Sequence, residues 1–516
     1  MTSHTSTVAI VGYGPVGAAI ANVLARRGID VAVIEEHENV YPTPRAGGLV
    51  PESMRLLQIM RLADELVTDM LPFTFWYDIV DKDGNLVLSR QPDVPETHQA
   101  WGPNYSILQP LVETAIRREN TALGVSEFLG QRMTSLRQDA AGVDLVLTSA
   151  DGSGTTTTLH ADWVIGADGS RSAVRQAIDC TVEDHGGDES WLLVHLRVTD
   201  DSVSLPERLT QYANPERPVS YITPLPTNIK LFEFRVMPGD DPEELTSHAK
   251  VWELLSPWLK EGQAELIRVV VYTFHSRTAT GWRDGRVLLA GDAAHLMTPD
   301  LGEGLNSGWR DAANLCWKLA GVVDGVLTEE VLDTYETERR PHVRAFTLMA
   351  LALAKATTTI AEDPDGYRAT LTLDSVFTHP RPLVGPGLHG EADLPAGLVA
   401  EQPVLADGSR LDDVIGYRFA IVGDLALLTE GVRRDPKVWG ALDTQFVPDD
   451  DPAVRAWLDR LGTRAVVVRP DRLILGVAES AEDIAGIAEK LRRFVSADAL
   501  GSAPSADGPA PQLERS

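Results

Sequence analysis

Cysteine is scarce in this chain, and its scarcity excludes several kinds of site. Only Cys180 and Cys316 occur among 516 residues, so neither a disulfide framework nor a Cys-x-x-Cys redox pair can be built. No spacing of ligand residues typical of a structural metal centre accompanies them. The sequence therefore predicts a protein of the reducing cytoplasm with no metal site.

Long apolar runs and a surplus of basic residues are also missing. The most apolar stretch after the first predicted strand, 346–354, is too short to span a bilayer, and Met1–Ser6 lacks the features of a signal peptide. Asp and Glu number 75 against 46 Lys and Arg, which gives a formal net charge of −29. A surface of this sign repels nucleic acid and anionic membranes, so neither is expected as a partner.

Glycines near the N-terminus form a pattern typical of a nucleotide site. The sequence Gly12-Tyr-Gly14-Pro-Val-Gly17 stands between an apolar strand pattern at 7–11 and a helical pattern that leads to a second apolar strand at 31–34. Gly12 permits a tight turn, Gly14 lets a pyrophosphate approach the backbone, and Gly17 lets helix and strand pack closely. The pattern predicts a βαβ unit that binds a dinucleotide at the N-terminus of its helix.

Acidic residues follow three of the predicted buried strands. Glu35, Asp168 and Asp292 each stand just after such a strand, and Gly169 follows the second of them. An acid at Glu35 can bind ribose hydroxyls but would repel a 2′-phosphate, which favours FAD or NAD over NADP. Ligands collect at the carboxyl ends of strands in open α/β sheets, so these acids are expected around one ligand.

Strand and helix patterns predict several domains. Between the second and third of these acids, alternating strand patterns replace helical ones, which indicates a mostly antiparallel sheet inserted into the nucleotide domain. The predicted bounds are 1–180 and 281–360 for the discontinuous nucleotide domain, 181–280 for the inserted substrate domain, 361–395 for a linker, 396–498 for a C-terminal domain and 499–516 for a disordered tail.

Taken together, these segments resemble the class A FAD-dependent aromatic hydroxylases, the family with the para-hydroxybenzoate hydroxylase-like fold. The resemblance covers about 7–350 and is most specific in 286–297 and 304–320, which are similar to the phenol, 3-(3-hydroxyphenyl)propionate and polyketide hydroxylase branch. It implies an α/β fold, with a Rossmann-like FAD-binding domain and an inserted antiparallel substrate domain. The C-terminal region, 396–498, resembles the thioredoxin-like domain of that branch, here without cysteines.

The resemblance also implies that FAD is bound by several loops. The implied contacts are Gly12, Gly14 and Gly17 at the pyrophosphate, Glu35 at the adenosine ribose, Arg45 near the pyrophosphate and flavin, Gln109 at the ribityl chain, Asp168 and Gly169 at FAD and the passing NAD(P)H, Asp292 at a ribityl hydroxyl, and Pro299, Gly302, Gly304, Leu305 and Asn306 beside the flavin ring. The last two begin a predicted helix, whose N-terminus would stabilise the negative charge of reduced flavin.

One departure from the family pattern falls in the flavin loop. The family usually has Pro-Pro-x-Gly-Gly-Gln-Gly, whereas this chain has Thr298-Pro-Asp-Leu-Gly-Glu-Gly304. Leu301 thus replaces a glycine near the ring, so flavin movement or the oxygen pocket is expected to differ.

The implied activity is that of a monooxygenase that hydroxylates a phenolic or polycyclic aromatic substrate with NAD(P)H and O2 through a flavin C4a-hydroperoxide. On the inserted sheet, His195 and Tyr221 are the candidate contacts for a substrate hydroxyl, whereas His295 is expected to be a packing residue. A Baeyer–Villiger-type or other flavin oxidoreductase and a non-catalytic FAD-binding protein are the alternatives. The sequence leaves a homodimer open.

Overall fold

The computed structural model describes residues 3–43, 45–72, 77–90, 98–222, 228–363, 382–390 and 394–503. The described helices are α1 Pro15–Arg26, α2 Pro51–Ile59, α3 Ala63–Leu66, α4 Gln109–Ala122, α5 Ala173–Ala177, α6 Pro242–Leu245, α7 His248–Leu255, α8 Gly304–Val323, α9 Asp333–Glu362, α10 Leu411–Ile415, α11 Leu425–Arg434, α12 Pro436–Ala441, α13 Pro452–Leu461, α14 Ala481–Arg492 and α15 Ala497–Ser502. The described strands are β1 Ser3–Val11, β2 Val31–Glu35, β3 Gly48–Leu49, β4 Leu71–Pro72, β5 Tyr77–Asp81, β6 Leu86–Arg90, β7 Tyr105–Ser106, β8 Ser126–Leu129, β9 Gln131–Gln138, β10 Val143–Ser149, β11 Thr156–Gly166, β12 Val182–Asp184, β13 Glu189–Val198, β14 Leu209–Ala213, β15 Val219–Ile222, β16 Ile229–Arg235, β17 Ala264–Phe274, β18 Arg277–Ala279, β19 Arg283–Asp284, β20 Val287–Leu289, β21 His295–Leu296, β22 Ala420–Gly423, β23 Gln445–Pro448, β24 Ala465–Val468 and β25 Ile474–Ala478.

The N-terminal sheet is 8-stranded, with the order β19-β20-β11-β1-β2-β8 and an antiparallel extension of β10 and β9 beside β11. β1 runs parallel to β2 and β11, and β11 runs parallel to β20. Val8–Val11 and Val31–Ile34 are buried, as expected of parallel strands covered on both faces. The buried strand predicted before Asp168 is the end of β11, Trp163–Gly166. The carboxyl ends of these strands meet at one edge of the sheet, which carries the glycine loop and the three acids predicted above.

The inserted sheet is 7-stranded, with the order β17-β13-β16-β15-β14-β5-β6. Its neighbours run antiparallel except β14 and β5, which run parallel. Because β5 and β6 come from 77–90, the predicted boundary of 181–280 is wrong in omitting them. A short strand carries no local signal of which distant strand it will pair with, so its pattern could not assign it to this sheet.

The two faces of the inserted sheet contact different parts of the protein. Successive side chains along a strand point to opposite faces, so the register assigns each residue to one face. Val194 and Phe232 are paired across β13 and β16, and both pack with Leu255 of α7. We call this the helix face. His195 and Glu233 are each one residue further along their strands and therefore lie on the opposite side, which we call the cleft face.

The C-terminal domain is built on a 4-stranded sheet with the order β23-β22-β24-β25. β22 and β23 are parallel, whereas β24 is antiparallel to both β22 and β25. Helices α11 and α12 connect the first two strands, α13 leads to β24, and α14 follows β25. This order is that of a thioredoxin-like domain, so the predicted fold is confirmed.

A buried carboxylate on α9 joins the C-terminal domain to the rest of the chain. Glu338 accepts hydrogen bonds from Arg469 Nη1 at 2.8 Å, Arg469 Nη2 at 2.7 Å and Lys318 Nζ at 2.8 Å, and none of these side chains is exposed. Burial alone would raise the pKa of Glu338, but the charges of Arg469 and Lys318 outweigh it and hold that pKa well below its ordinary value. The ion cluster therefore fastens α9 and α8 to β24.

Parts of the predicted linker and tail pack against the folded chain. Gly385 N donates to the Glu338 carbonyl at 2.8 Å, and Leu388 N donates to its carboxylate at 3.0 Å. Helix α15 includes the first residues of the predicted disordered tail, so that prediction is wrong for 499–502. The rest of the tail, 504–516, and linker residues 364–381 lie outside the described residues. Within the described part of the chain, no helix is long and apolar enough to cross a membrane.

Candidate active site

The glycine loop after β1 packs against the loop after β11. Gly12 has a φ of 100°, and a Cβ there would lie 2.3 Å from the Ala167 carbonyl oxygen and 2.8 Å from Asp168 Cα. A Cβ on Gly17 would lie 2.0 Å from the Gly12 carbonyl oxygen. The turn itself therefore requires both glycines. Gly14 differs, since a Cβ there would meet nothing within 4 Å, and its space is open to a ligand.

The N-termini of α1 and α8 open onto the same space, which we call the dinucleotide cleft. Trp309 of α8 donates from Nε1 to the Pro15 carbonyl at 3.0 Å, and a Cβ on Gly308 would lie 2.6 Å from Val16 Cγ2. Neither helix has a side-chain cap at its first residue. The first N–H groups of a helix have no acceptor within it, so both helix ends present donors and partial positive charge to the cleft.

Glu35 lies beside the glycine loop with its carboxylate held by backbone. Oε2 accepts from Tyr13 N at 2.9 Å, and Oε1 accepts from His37 N at 3.0 Å. The side chain is half-buried, and each carboxylate oxygen keeps a further lone pair. The position suits an acceptor for ribose hydroxyls.

Gln109, at the start of α4, fixes the loop that carries Arg45. Its Oε1 accepts from the backbone N–H groups of Arg45 at 3.0 Å and Ala46 at 2.9 Å. The Arg45 guanidinium lies 4.5 Å from the centre of the Tyr41 ring, and its side chain is exposed. Gln109 thus orders the loop that carries Arg45 beside the cleft. The family pattern alone did not predict this role for Gln109.

Asp168 caps a short helix with the carboxylate that was expected to serve FAD. Its Oδ1 accepts from Ser172 Oγ at 2.5 Å, and its Oδ2 accepts from Ala173 N at 2.7 Å and Val174 N at 3.1 Å. Burial raises the pKa of Asp168 even though these donors oppose the rise. Gly169 follows with a φ of 79° and turns the loop. The Asp168 carboxylate thus holds the start of α5 against the loop that follows β11.

Asp292 presents a carboxylate to the dinucleotide cleft. Its side chain is open to the cleft, although dense protein surrounds it. Burial raises its pKa, and the nearby charges of His295 and Arg45 partly offset that rise. No hydrogen bond or ion pair to it exists among the described residues. An acceptor of this kind, open to the cleft, fits a hydroxyl-bearing ligand such as the ribityl chain of FAD.

Asn306 ties together the loops on the flavin side of the cleft. Its Oδ1 accepts from Ser53 Oγ at 2.7 Å and Val50 N at 3.2 Å, while its Nδ2 donates to the Gly302 carbonyl at 2.9 Å. Because its side chain is used in this way, only the backbone N–H groups of α8, from Gly304 and Leu305 onward, are available to a flavin. The role of the Asn306 side chain is thus to hold the loop in place.

The flavin loop itself forms a 3-10 turn, Pro299–Leu301, that ends at Gly302 with a φ of 67°. Pro299 and Gly302 are exposed to the cleft, whereas Leu301 is half-buried. Pro299 and Gly302 are thus accessible to a ligand, and Leu301, the residue that departs from the family pattern, lies in the same turn.

His295 belongs to a buried network behind this loop, as expected of a packing residue. Its Nε2 lies 2.7 Å from Asp311 Oδ2, and Arg339 Nε donates to Asp311 Oδ1 at 2.9 Å. Asp311 also accepts from Gly291 N at 3.1 Å. The network holds the turn that presents Asp292.

The cleft face of the inserted sheet meets the dinucleotide cleft at the Arg45 loop. Arg268 of β17 lies 5.5 Å from the centre of the Tyr41 ring, the same ring that Arg45 covers. Tyr272, further along β17, is 40% exposed. Burial raises its pKa, the charge of Asp292 adds to the rise, and Arg45 opposes it. The cleft face and the Arg45 loop are therefore adjacent.

Sequence reasoning missed two buried acids, one on the inserted sheet and one in the flavin loop. Glu233 of β16 lies on the cleft face and is 8% exposed, and Asp300 lies in the flavin loop. Burial raises the pKa of Glu233 to about 8, with the charge of Asp300 adding to the effect, and burial raises the pKa of Asp300 to about 6. The signal was present, because Glu233 stands between Phe232 and Phe234 and must point away from their core.

His195 and Tyr221, the two predicted substrate contacts, lie on opposite faces of the sheet. His195 is on the cleft face and 2% exposed. Tyr221 is on the helix face and fully buried, with its ring centre 4.8 Å from that of Phe232. The expectation that Tyr221 contacts the substrate is therefore not supported, because the sheet separates it from the cleft.

Comparison with known proteins decides the family. A family model described as an FAD binding domain matches residues 5–350. The chain belongs to this family. It is 32% identical over 536 residues to a 3-(3-hydroxy-phenyl)propionate/3-hydroxycinnamic acid hydroxylase of Burkholderia cenocepacia strain HI2424, with 95% of this chain and 97% of that protein covered. It is 33% identical over 512 residues to a probable NADH-specific resorcinol 4-hydroxylase of Rhodococcus jostii strain RHA1, with 94% of each covered.

Solved structures share the fold. Aklavinone-11 hydroxylase, in a ternary complex with FAD and aklavinone, has a TM-score of 0.77 at 24% identity and covers 95% of this chain and 99% of that one. The flavin-dependent monooxygenase PieE has a TM-score of 0.81 at 20% identity and covers 97% of this chain and 100% of that one. The predicted fold and the predicted membership of the FAD-dependent aromatic hydroxylases are confirmed, and with them FAD as the cofactor.

Proposed function

We propose that this protein hydroxylates a phenolic ring with NAD(P)H and O2, and that the ring lies between the flavin loop and the cleft face of the inserted sheet. The observation that carries the proposal is the junction of the two surfaces at Tyr41, which both Arg45 and Arg268 cover. A ring bound there would be within reach of a flavin held by the loop at Pro299–Leu301.

On the cofactor side, the residues divide into direct contacts and supports. The helix ends at Gly14 and Gly304 would bind the pyrophosphate and the flavin pyrimidine through backbone N–H groups. Glu35 would accept from ribose hydroxyls, and Asp292 would accept from the ribityl chain. Asn306 would hold the flavin loop in position beside the flavin ring, and its side chain would not contact the ring itself.

Bound FAD would supply the electron acceptor for NAD(P)H and the position at which O2 is activated. The chain's own groups would orient the substrate, exclude water and manage its proton. His195 and Tyr272 on the cleft face would contact the aromatic ring or its hydroxyl. A phenol attacks an electrophilic oxygen faster as the phenolate, so a group that accepts the phenol proton would favour the reaction.

A coupled oxidation assay tests this proposal. Purified protein should contain FAD in a one-to-one ratio, and NADH and NADPH should be tried separately. Candidate substrates are resorcinol, 3-(3-hydroxyphenyl)propionate and aklavinone, with oxidation of the nicotinamide and the hydroxylated product measured together. We expect one product per nicotinamide oxidised with at least one phenol. Oxidation that yields only hydrogen peroxide with every phenol would contradict the proposal.

A further inference from the structure

The residue before the flavin-side helix α8 is an acid, where the family pattern has a glutamine. Glu303 stands directly before Gly304, the first residue of α8. Its backbone carbonyl accepts from Ser307 N at 2.8 Å and so closes the first turn of the helix. Its side chain is only 3% exposed. A buried carboxylate is thus fixed at the end of the helix whose first N–H groups are proposed to meet the flavin.

One arginine neutralises this acid only in part. Arg310 Nη1 donates to Glu303 Oε2 at 2.7 Å, and Arg310 Nε donates to Glu52 Oε2 of α2 at 2.5 Å. The guanidinium is largely buried and lies 5.0 Å from the centre of the Phe346 ring. Among the described residues, no other side chain bonds the Glu303 carboxylate. One positive charge is therefore shared between two carboxylates at the start of α8.

The neighbouring ionisable groups do not cancel the charge of Glu303. Burial, together with the charges of Arg339 and Arg310, holds the pKa of His342 well below its ordinary value, so this imidazole is neutral. Arg339 is itself paired with Asp311, with Nε and Oδ1 2.9 Å apart. The charge of the Glu303 carboxylate is therefore opposed mainly by that of Arg310.

Charge at this end of α8 matters for flavin reduction. Reduction by NAD(P)H transfers a hydride, which is two electrons and one proton, from the nicotinamide to the flavin. The nicotinamide is oxidised, and one negative charge is added at the flavin. The positive end of α8 would stabilise that charge, and a carboxylate at the same end would oppose it. Buried charges are screened little by salt, so both effects should persist in solution.

Both charged side chains lie near the start of the helix. Arg310 follows Gly304 by about 9 Å of helical rise, and its side chain reaches back to Glu303. The two charges are therefore close enough to the helix end to act on the same bound group, and they act with opposite signs.

We propose that Glu303 lowers the reduction potential of the bound flavin and that Arg310 limits this effect, so that the pair sets how readily NAD(P)H reduces the cofactor. The inference rests on the flavin position proposed above, beside the N-terminus of α8. Both residues act through their charge and contact neither the substrate nor the flavin ring.

Glutamine at this position separates charge from shape. Its side chain has the size of glutamate, and its carbonyl oxygen can still accept from Arg310, but it carries no charge. Glu303→Gln therefore restores the residue of the family pattern and removes only the electrostatic effect. Asp300 in the same loop is unchanged in every variant below, so differences between variants do not come from it.

Redox titration of the FAD-loaded protein tests the proposal without turnover. The protein is reduced slowly with dithionite in the absence of O2 and substrate, at neutral pH, beside a reference dye of known potential. Glu303→Gln should raise the midpoint. At a fixed potential, the ratio of reduced to oxidised flavin should rise by about ten-fold, which is about 30 mV for a two-electron couple. The Kd of oxidised FAD should hardly change, because the added charge appears only on reduction.

Further variants assign the effect to its residues. Arg310→Gln should lower the midpoint, because it removes the positive charge and leaves that of Glu303. The double variant should fall between the two single variants. Asp324→Asn is the matched control, because Asp324 is an exposed acid paired with Arg27 at the other end of the same helix, about 30 Å away. That variant should leave the midpoint unchanged.

The sign of the shifts separates an electrostatic role from a structural one. Loosened packing would change both single variants in the same direction, whereas charge shifts them in opposite directions. A midpoint that is unchanged or lowered in Glu303→Gln, or raised equally in Asp324→Asn, would overturn the inference. If Arg310→Gln does not retain FAD, the comparison of Glu303→Gln with Asp324→Asn still decides.

The inference and the proposed function can fail separately. If wild-type protein hydroxylates a phenol but Glu303→Gln has the wild-type midpoint, the inference is wrong and the proposed function stands. If the midpoints shift as expected but no phenol of the panel is hydroxylated, the proposed function is wrong and the role of Glu303 stands.

Discussion

Replacing Asp292 by alanine should weaken FAD binding without weakening the protein. The Asp292 carboxylate has no hydrogen-bonding partner among the described residues, and burial raises its pKa. A carboxyl with a higher pKa in the folded than in the unfolded state costs folding free energy when ionised. The cost is present at neutral pH and disappears as the pH falls below the unfolded pKa. Its removal should therefore leave the stability of the FAD-free protein unchanged or raised.

The expected loss in FAD affinity can be estimated from the one hydrogen bond between a ribityl hydroxyl and the Asp292 carboxylate. A hydrogen bond to a charged group contributes about 1.5–3 kcal/mol. Losing one from a ribityl hydroxyl should raise the Kd of FAD by about ten-fold to about a hundred-fold. The backbone donors at Gly14 and Gly304 remain, so binding should be weakened and not abolished.

The assay is a titration of FAD-free protein with FAD, followed by quenching of flavin fluorescence, together with thermal unfolding with and without FAD. Asp311→Asn is the informative comparison, because Asp311 bonds His295, Arg339 and Gly291 inside the protein. That variant should lose stability even without FAD. A Kd for Asp292→Ala within two-fold of wild type, or a loss of FAD-free stability equal to that of Asp311→Asn, would refute the reasoning.

Four further substitutions and one change of pH test the described contacts. Glu338→Gln leaves the buried Arg469 without its full counter-charge and should cost about 3–5 kcal/mol in denaturant unfolding, where an unchanged midpoint would count against the ion cluster. Because the pKa of Glu338 is depressed, the stability it contributes should be lost as the pH falls below its ordinary value of 4.5, which unfolding curves at acid pH can check. Tyr221→Phe should leave kcat and KM within two-fold of wild type, whereas His195→Ala should raise KM for the phenol several-fold, and equal effects would show that the two faces are wrongly assigned. Gly17→Ala would place a Cβ 2.0 Å from a backbone carbonyl and should abolish stoichiometric FAD content, so a fully loaded variant would show that the turn can shift.

The nucleotide-binding half was predictable because its requirements are local. Gly12 and Gly17 are fixed by backbone atoms a few residues away or by the adjoining loop, and a strand followed by Gly-x-Gly-x-x-Gly and a helix leaves few alternatives. The apolar runs of β1 and β2 predicted a buried parallel sheet for the same reason. Motif and neighbourhood together were enough to indicate the βαβ fold and a dinucleotide ligand, and the family resemblance implied that the dinucleotide is FAD.

The substrate side was less predictable because it depends on which face of a sheet a side chain takes. His195 and Tyr221 are both polar residues on strands, and only the pairing of β13, β16 and β15 shows that they lie on opposite faces. Glu233 and Asp300 are separated by 67 positions in the sequence, and no local sequence pattern predicts that both are buried acids. The helix-capping role of Asp168 was not predicted for another reason. The family motif already assigned this residue a contact with FAD and NAD(P)H, so no second role was sought.

The central claim is that one cleft activates O2 and transfers one of its oxygen atoms to an aromatic ring beside it. The most direct measurement is turnover of the FAD-loaded protein with NAD(P)H, a phenol that it accepts and isotopically labelled O2, followed by mass spectrometry of the product. We predict one labelled oxygen atom in the new hydroxyl for each nicotinamide oxidised. Unlabelled product, or nicotinamide oxidation with label only in hydrogen peroxide, would contradict the claim.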